Sequence, residues 1–169
     1  MAVPAEQITK LLEVLSQSGV EFIVIGGAAG VLHGAPVTTL DLDIVHRRTP
    51  ENIAKLLDVL RQLGAYFHPD FAQRRLPPRE SDLSGHGHLN MQTSMGRLDV
   101  LCEVSEARGY DELLPHTEEF PHGGLRLRVL DLPTLIAVKA AAGRPKDRVT
   151  VPILIATLEE RKKRAGQAR

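Results

Sequence analysis

Two aspartates stand two positions apart in an otherwise apolar segment, Asp41-Leu42-Asp43-Ile44-Val45. Side chains two apart on a strand point to the same side, so Asp41 and Asp43 would share one face while Leu42 and Ile44 face the core. Carboxylates about 7 Å apart at Cα repel each other unless a cation lies between them. Because Mg²⁺ (or Mn²⁺) is bound by carboxylates together with phosphate oxygens, the pair predicts a divalent-cation site.

Paired glycines precede these aspartates. Gly26 and Gly27 directly follow the apolar segment 22–25, which predicts a short buried strand, and helix-forming residues come after them. A strand that passes through glycines into a helix presents free N–H groups and the positive end of a helix dipole. Glycine also allows a ligand to approach the backbone closely. The segment therefore predicts a phosphate-binding turn, and a tight strand-to-helix turn without a ligand would explain the glycines equally well.

The ordered set of motifs resembles a known family. Gly26-Gly27-Ala28-Ala29, then His33-Gly34, a threonine and Asp41–Ile44 look like the DNA polymerase beta-type nucleotidyltransferase superfamily. The resemblance runs from about residue 22 to the region 139–147, and it is closest to the small bacterial branch that includes abortive-infection toxins. It implies a mixed α/β (α+β) fold in which a small sheet is backed by helices.

The resemblance also implies an activity. A nucleoside monophosphate would be moved from a nucleoside triphosphate to a hydroxyl group of an RNA, a protein or a small molecule such as an aminoglycoside. In this reading Asp41 and Asp43 bind two divalent ions, and Asp99 on a nearby strand is the third ligand and helps to deprotonate the acceptor hydroxyl. The alternative is that each aspartate is a helix cap or a solvated residue at a strand end.

Further residues are candidates for binding the triphosphate. Thr38 or Thr39 could hydrogen-bond the β- or γ-phosphate, or either could be an ordinary strand residue. Val37 stands where relatives usually carry an arginine, and this removes one positive contact.

Positive residues follow near the C-terminus. Lys139 lies in the apolar run 132–143, from which it could snorkel to the surface or reach a phosphate. Arg144 or Lys146 could contact nucleotide or acceptor, and Asp147 is expected to cap the last helix.

The elements that would position these residues follow from hydrophobic periodicity and from Gly and Pro boundaries. Strands are predicted over 22–25, 38–45, 88–93, 97–104 and 125–129, and helices over 4–18, 27–33, 49–63, 105–114, 131–142 and from 147 or 151 to 164. In the last helix, Val151, Leu154, Ile155 and Leu158 are expected to face inward. Residues 65–87 form a long loop whose arginines, Arg74, Arg75 and Arg79, could line the entrance for an anionic acceptor or simply be solvated.

Composition restricts the class of protein. The 169 residues suffice for a single domain, 1–169, with a core over 20–130 and a C-terminal helical segment over 131–164. Lys plus Arg equals Asp plus Glu at 21 each, which argues against a general polycation and disfavours long RNA as acceptor. Cys102 is the only cysteine, so no intrachain disulfide can form. Without a membrane-length apolar run or a signal-peptide pattern, we expect a cytoplasmic protein.

Other functions are less consistent with the sequence. His86 and His88 lie two apart, but a zinc site would need further ligands and one cysteine offers little. A metal-dependent nuclease would keep the carboxylates and have no use for a phosphate-binding turn. A non-catalytic relative that binds nucleotide or a cognate partner protein in a two-protein system is the main alternative. Retention of all three aspartates favours the enzyme.

Overall fold

The computed structural model describes residues 4–168 and contains a seven-stranded mixed sheet. The strands are β1 Phe22–Ile25, β2 Asp41–His46, β3 Tyr66–Phe67, β4 His88–Thr93, β5 Gly96–Leu101, β6 Thr117–His122 and β7 Leu125–Leu130. The helices are α1 Pro4–Gln17, α2 Gly26–Leu32, α3 Pro50–Gln62, α4 Glu80–Leu83, α5 Tyr110–Leu113, α6 Leu132–Ala142 and α7 Pro145–Gln167. Two short 3-10 turns cover Ser105–Ala107 and Leu114–His116. The predicted mixed α/β class is confirmed.

The sheet places β2 at its centre. Its order is β3-β4-β5-β2-β1-β7-β6. β2 runs antiparallel to β1 and parallel to β5, while β4 and β5 form an antiparallel hairpin. Because β2 pairs with β5 in parallel, residues far apart in the chain meet side by side in the middle of the sheet.

Helices pack on both sides of the sheet. On one side α1 packs against β2 and β5 with α3 beside it, and Leu11, Leu12 and Leu15 of α1 are buried. On the other side α2 lies against β1 and β2, α6 packs on α2, and α7 packs on α6. None of the described helices is both long and apolar enough to cross a membrane.

Capping residues set the helix boundaries that the sequence predicted. The Thr49 side chain accepts a hydrogen bond from the Asn52 N–H at 3.3 Å at the start of α3. Asp131 accepts from the Thr134 N–H at 2.8 Å at the start of α6. Gly143 ends that helix with a φ of 60°, the left-handed conformation that glycine tolerates best.

Some predicted boundaries are wrong. β2 begins at Asp41 and not at residue 38, because its pairing with β5 starts at Asp41 opposite Arg97. The Thr39 hydroxyl donates to the Asp41 carbonyl oxygen at 2.9 Å. The predicted helix 105–114 is divided into the 3-10 turn Ser105–Ala107 and the separate helix α5.

The C-terminal third shows further differences. β6 was not predicted, because two glutamates and Pro121 obscure its pattern; an edge strand tolerates that proline. α7 begins earlier than expected, at Pro145, and continues to Gln167. Leu154 is buried as expected, but Ile155 is 45% exposed and does not face inward.

Candidate active site

Asp43 and Asp99 are direct neighbours across the parallel β2–β5 pair. Asp41 lies opposite Arg97 in the same ladder, and Asp43 lies opposite Asp99. Directly opposed residues project to the same face of a sheet, so the three aspartates share one face, as predicted. The intervening residues Leu42 and Leu98 are fully buried on the other face.

The crowding of these carboxylates changes their acidity. Burial, followed by repulsion from Asp99 and Asp41, raises the pKa of Asp43 to about 7. Burial and then the charge of Asp41 also raise the pKa of Asp99. The ammonium group of Lys146 acts against both shifts, because a nearby positive charge favours the ionised carboxylate. The pair therefore has an unfavourable excess of negative charge that a cation would relieve.

The glycine pair packs directly against this acidic cluster. Gly26 has a φ of +64°, and a Cβ built there would lie 2.8 Å from the Asp43 Cγ. A Cβ on Gly27 would lie 2.8 Å from the Thr39 Cβ and Oγ1. Such distances are too short for van der Waals contact, so a side chain at either position would displace its neighbour. The glycines thus bring the start of α2 against Asp43 and Thr39.

A cleft of about 590 Å³ is lined by the residues that the sequence predicted for the site. Its lining includes all nine predicted site residues: Gly26, Gly27, Thr38, Thr39, Asp41, Asp43, Asp99, Lys139 and Lys146. Their roles in binding and catalysis remain predictions, although the fold brings them together. Val37, at the position of the arginine in relatives, also lines the cleft.

Lys139 is buried and not extended to the surface. Its Nζ donates to Asp147 Oδ1 at 3.3 Å, and the two side chains are 9% and 1% exposed. Arg144 donates to Asp147 Oδ2 from its Nε at 2.8 Å and from its backbone N–H at 3.3 Å. Burial raises the pKa of Asp147, but the hydrogen bonds and charges of Arg144 and Lys139 outweigh burial and hold its pKa below the usual range.

This contact adds to the expected capping role of Asp147. It does accept one N–H at the start of α7, yet the N-cap position belongs to Arg144. The carboxylate mainly holds two cationic side chains that line the cleft.

The acidic cluster suits a divalent cation whose coordination shell is completed by a bound ligand. Asp99 Oδ1 is buried and lacks a hydrogen-bond partner in the described chain. Within residues 4–168, no group of three or more His, Cys, Asp or Glu side chains is arranged so that it could hold a metal ion by itself. Mg²⁺ is commonly held by one or two carboxylates plus substrate phosphates and water, so an open pair such as Asp43 and Asp99 suits it.

The histidines beside the core motif have structural partners. His33 Nε2 lies 2.8 Å from the Leu130 carbonyl oxygen, and His46 Nε2 lies 2.7 Å from that of Leu83. A carbonyl can only accept, so each Nε2 carries the proton. His33 Nδ1 then accepts from Arg161 Nη1 at 2.7 Å.

Several residues that line the cleft were not predicted from the sequence. Asn90 lies directly opposite Asp99 in the β4–β5 hairpin and lines the cleft together with His88. Leu101, Val104, Leu135 and Val138 add an apolar wall. Asn90 could have been found, because the short connection between the predicted strands 88–93 and 97–104 indicates a hairpin and so restricts its register.

No protein-family model matches this chain, and no curated protein matches its sequence. Solved structures do match its fold. The lincosamide antibiotic adenylyltransferase LnuA, with lincomycin bound, is 12% identical with a TM-score of 0.61, covering 89% of this chain and 96% of LnuA. ANT(2'')-Ia in complex with adenylyl-2''-tobramycin is 16% identical with a TM-score of 0.58, covering 96% and 95%.

A third match is TM1012 from Thermotoga maritima, a candidate nucleotidyltransferase. It is 14% identical with a TM-score of 0.51, covering 87% of this chain and 93% of its own. At such identities the likeness concerns the backbone architecture. The chain has the fold of the nucleotidyltransferases.

Proposed function

We propose that this protein is a divalent-metal-dependent nucleotidyltransferase that moves a nucleoside monophosphate from a nucleoside triphosphate to a hydroxyl group. The observation that carries the proposal is the register of Asp43 against Asp99, directly beside the Gly26–Gly27 turn and in one cleft with two lysines. Carboxylates, a glycine turn and amines are groups that together can bind a metal–triphosphate complex.

Asp41, Asp43 and Asp99 would hold Mg²⁺ or Mn²⁺. The ion would neutralise negative charge on the triphosphate and on the departing pyrophosphate. The buried, unpartnered Asp99 Oδ1 and the raised pKa of Asp43 support this assignment, because the nearby positive side chains do not offset burial and mutual repulsion.

The remaining residues would bind and orient the substrates. Backbone N–H groups of Gly26 and Gly27 and the hydroxyls of Thr38 and Thr39 would donate to phosphate oxygens. Lys139 and Lys146 would add positive charge without needing a fixed geometry.

Asp99 would receive the proton of the acceptor hydroxyl, and its raised pKa suits a general base. The acceptor oxygen then bonds to the α-phosphorus, and the bond from that phosphorus to the β-phosphate bridging oxygen breaks, so that pyrophosphate leaves.

The acceptor is a hydroxyl of an RNA, a protein or a small molecule. The structures of LnuA and ANT(2'')-Ia contain lincomycin and adenylyl-2''-tobramycin, which supports a small molecule as one of these acceptors. The proposal also places the protein in the branch that includes abortive-infection toxins. It further includes a cognate partner protein and a cytoplasmic location.

The shift in melting temperature with each of the four nucleoside triphosphates, with and without Mg²⁺, tests the donor site. A ligand at a hundredfold its Kd stabilises by about 2.7 kcal/mol, or about 5–10 °C for a chain of this size. We expect a Mg²⁺-dependent shift in wild type and none in Asp43→Asn. Asp58→Asn, an exposed aspartate on α3, is the matched control and should shift like wild type. No shift with any triphosphate would rule out the enzyme and favour a partner-binding relative.

A further inference from the structure

His88 lines the candidate cleft together with the aspartates. In the β4–β5 hairpin Asn90 lies opposite Asp99. His88 comes two positions before Asn90, and residues two apart on a strand point to the same side of the sheet. His88 is therefore a diagonal neighbour of Asp99, at the roughly 7–8 Å that is typical of that position. One water molecule can bridge an imidazole and a carboxylate at this spacing.

A hydrogen bond selects the tautomer of the His88 ring. Its Nε2 lies 3.3 Å from the backbone carbonyl oxygen of Glu103. A carbonyl can only accept, so Nε2 carries the proton, and Nδ1 of the neutral ring keeps a free lone pair. Because His88 is exposed, a proton that is taken up at Nδ1 can pass on to solvent. The ring is therefore a neutral base with one end anchored to the chain.

The Glu103 side chain has its own partners after the end of β5. Its carboxylate lies 3.2 Å from His86 Nδ1 and 3.6 Å from Arg48 Nη2. Arg48 also donates from Nη1 to the Gly85 carbonyl oxygen at 2.8 Å. These contacts use the carboxylate of Glu103, whereas His88 uses its backbone carbonyl. His86 can therefore be replaced without removing the hydrogen bond that selects the His88 tautomer.

His88 differs from the other polar groups of the cleft. Among the cleft-lining residues of the described chain it contributes the only imidazole. Lys139, Arg144 and Lys146 are cationic and have no lone pair to offer. Asp99 is a candidate metal ligand, and a bound cation favours the ionised form of a carboxylate. A proton that reaches Asp99 is therefore not retained there while a cation is bound, and it needs a further acceptor.

We propose that His88 is a proton relay, which takes from Asp99, through one water molecule, the proton that the acceptor hydroxyl loses. This inference rests on the proposed function and adds one residue to it. The hydroxyl oxygen bonds to the α-phosphorus, the bond from that phosphorus to the β-phosphate bridging oxygen breaks, and pyrophosphate leaves with the electron pair. The proton moves from the hydroxyl to Asp99, then to His88 Nδ1, and finally to solvent.

Release of pyrophosphate tests the relay. The substrate is the triphosphate that gives the largest melting shift, with Mg²⁺ present and with water or glycerol as the acceptor hydroxyl. His88→Ala should lower kcat about a hundredfold, the lower end of what proton transfer contributes. The KM for the triphosphate and the melting shift should not change. Added imidazole should restore much of the lost rate, because it supplies the missing base.

His86→Ala is the matched control. The His86 side chain is 79% exposed and belongs to the same Gly-His-Gly-His segment, so this variant should keep the kcat of wild type. An equal loss of rate in both variants, or a loss in His88→Ala that imidazole does not restore, would overturn the inference.

The tautomer gives a readout that needs neither metal nor substrate. Nitrogen chemical shifts of ¹⁵N-labelled histidines distinguish the two neutral forms, and the His88 signals are those absent from His88→Ala. We expect the form protonated at Nε2, and protonation at Nδ1 instead would overturn the inference.

The two proposals fail in different ways. If wild type shows a triphosphate-induced melting shift, then either no pyrophosphate release or an unchanged kcat in His88→Ala would overturn the relay and leave the donor site intact. If wild type shows neither the shift nor release, the transfer proposal is removed and the relay with it.

Discussion

Lys139 and Asp147 form a buried ion pair across the junction between α6 and α7, with Nζ and Oδ1 3.3 Å apart. Arg144 contacts the same carboxylate at 2.8 Å. Two cations therefore share one buried anion, and the surplus positive charge faces the cleft that contains the three aspartates. The pair links the packing of the two C-terminal helices to the electrostatics of the candidate site.

Asp147→Asn should destabilise the protein strongly. The change leaves Lys139 buried without a counter-charge, and breaking a buried pair in this way typically costs about 3–5 kcal/mol. Urea unfolding measures the loss. Glu159→Gln, which removes the exposed partner of Lys162, is the control and should change stability by less than about 1 kcal/mol. Equal effects of the two changes would contradict the structural role of Asp147.

Asp43→Asn should alter how the stability of the metal-free protein depends on pH. Because folding raises the pKa of Asp43 from 3.8 to about 7, the folded state favours the protonated form. The stabilisation is complete below about pH 4 and is lost as the pH rises through about 7. We expect wild type to lose stability relative to Asp43→Asn between pH 5 and 8, by about 2 kcal/mol.

Melting curves in EDTA across that pH range check this prediction. Asp58→Asn should follow wild type. Parallel profiles for wild type and Asp43→Asn would show that Asp43 is not buried against like charges.

Gly26→Ala should abolish the triphosphate-induced melting shift. Both Gly26 and Gly64 have positive φ, 64° and 58°, so alanine at either position costs about 1 kcal/mol of backbone strain. At Gly64 nothing lies within 4 Å of the new Cβ, whereas at Gly26 it meets the Asp43 carboxylate. Gly64→Ala should therefore lose stability but keep the shift. Loss of the shift in both variants would mean that strain alone, and not displacement of Asp43, is responsible.

His33 should contribute stability that is lost in acid. Burial lowers the pKa of His33 despite the opposing hydrogen bond to Leu130, and a proton on Nδ1 would face the Arg161 guanidinium. The contribution is present above about pH 6.5 and disappears as the pH falls through the lowered pKa of the folded state. Between pH 7 and pH 5, the unfolding free energy of His33→Gln should fall by about 1 kcal/mol less than that of wild type. Urea titrations at the two pH values measure it, and an unchanged slope would contradict it.

The central part of the fold could be predicted because its signals are local. β1, the start of α3 and the β4–β5 hairpin follow from short apolar runs, a Thr-Pro-Glu start and a glycine turn. Alternation placed Asp41 and Asp43 on one face, and the family resemblance added Asp99 on a nearby strand. Their adjacency depends on the parallel β2–β5 pairing, which no local pattern specifies.

The rest depends on long-range partners. Lys139 looked like a surface lysine or a phosphate ligand, because nothing in its own helix shows that Asp147 would reach it. β6 is a strand only because β7 pairs with it along its whole length. β3 was not predicted, since it has two residues and is defined by its pairing with β4.

The parallel pairing of β2 with β5 also has a kinetic consequence. Asp43 and Asp99 are separated by α3, a long loop and β4, so the acidic pair exists only after a large chain closure is complete. Closures of this kind are slow and come late in folding. A metal–nucleotide complex that needs both carboxylates would therefore bind after the folding barrier. It should slow unfolding and leave the folding rate nearly unchanged.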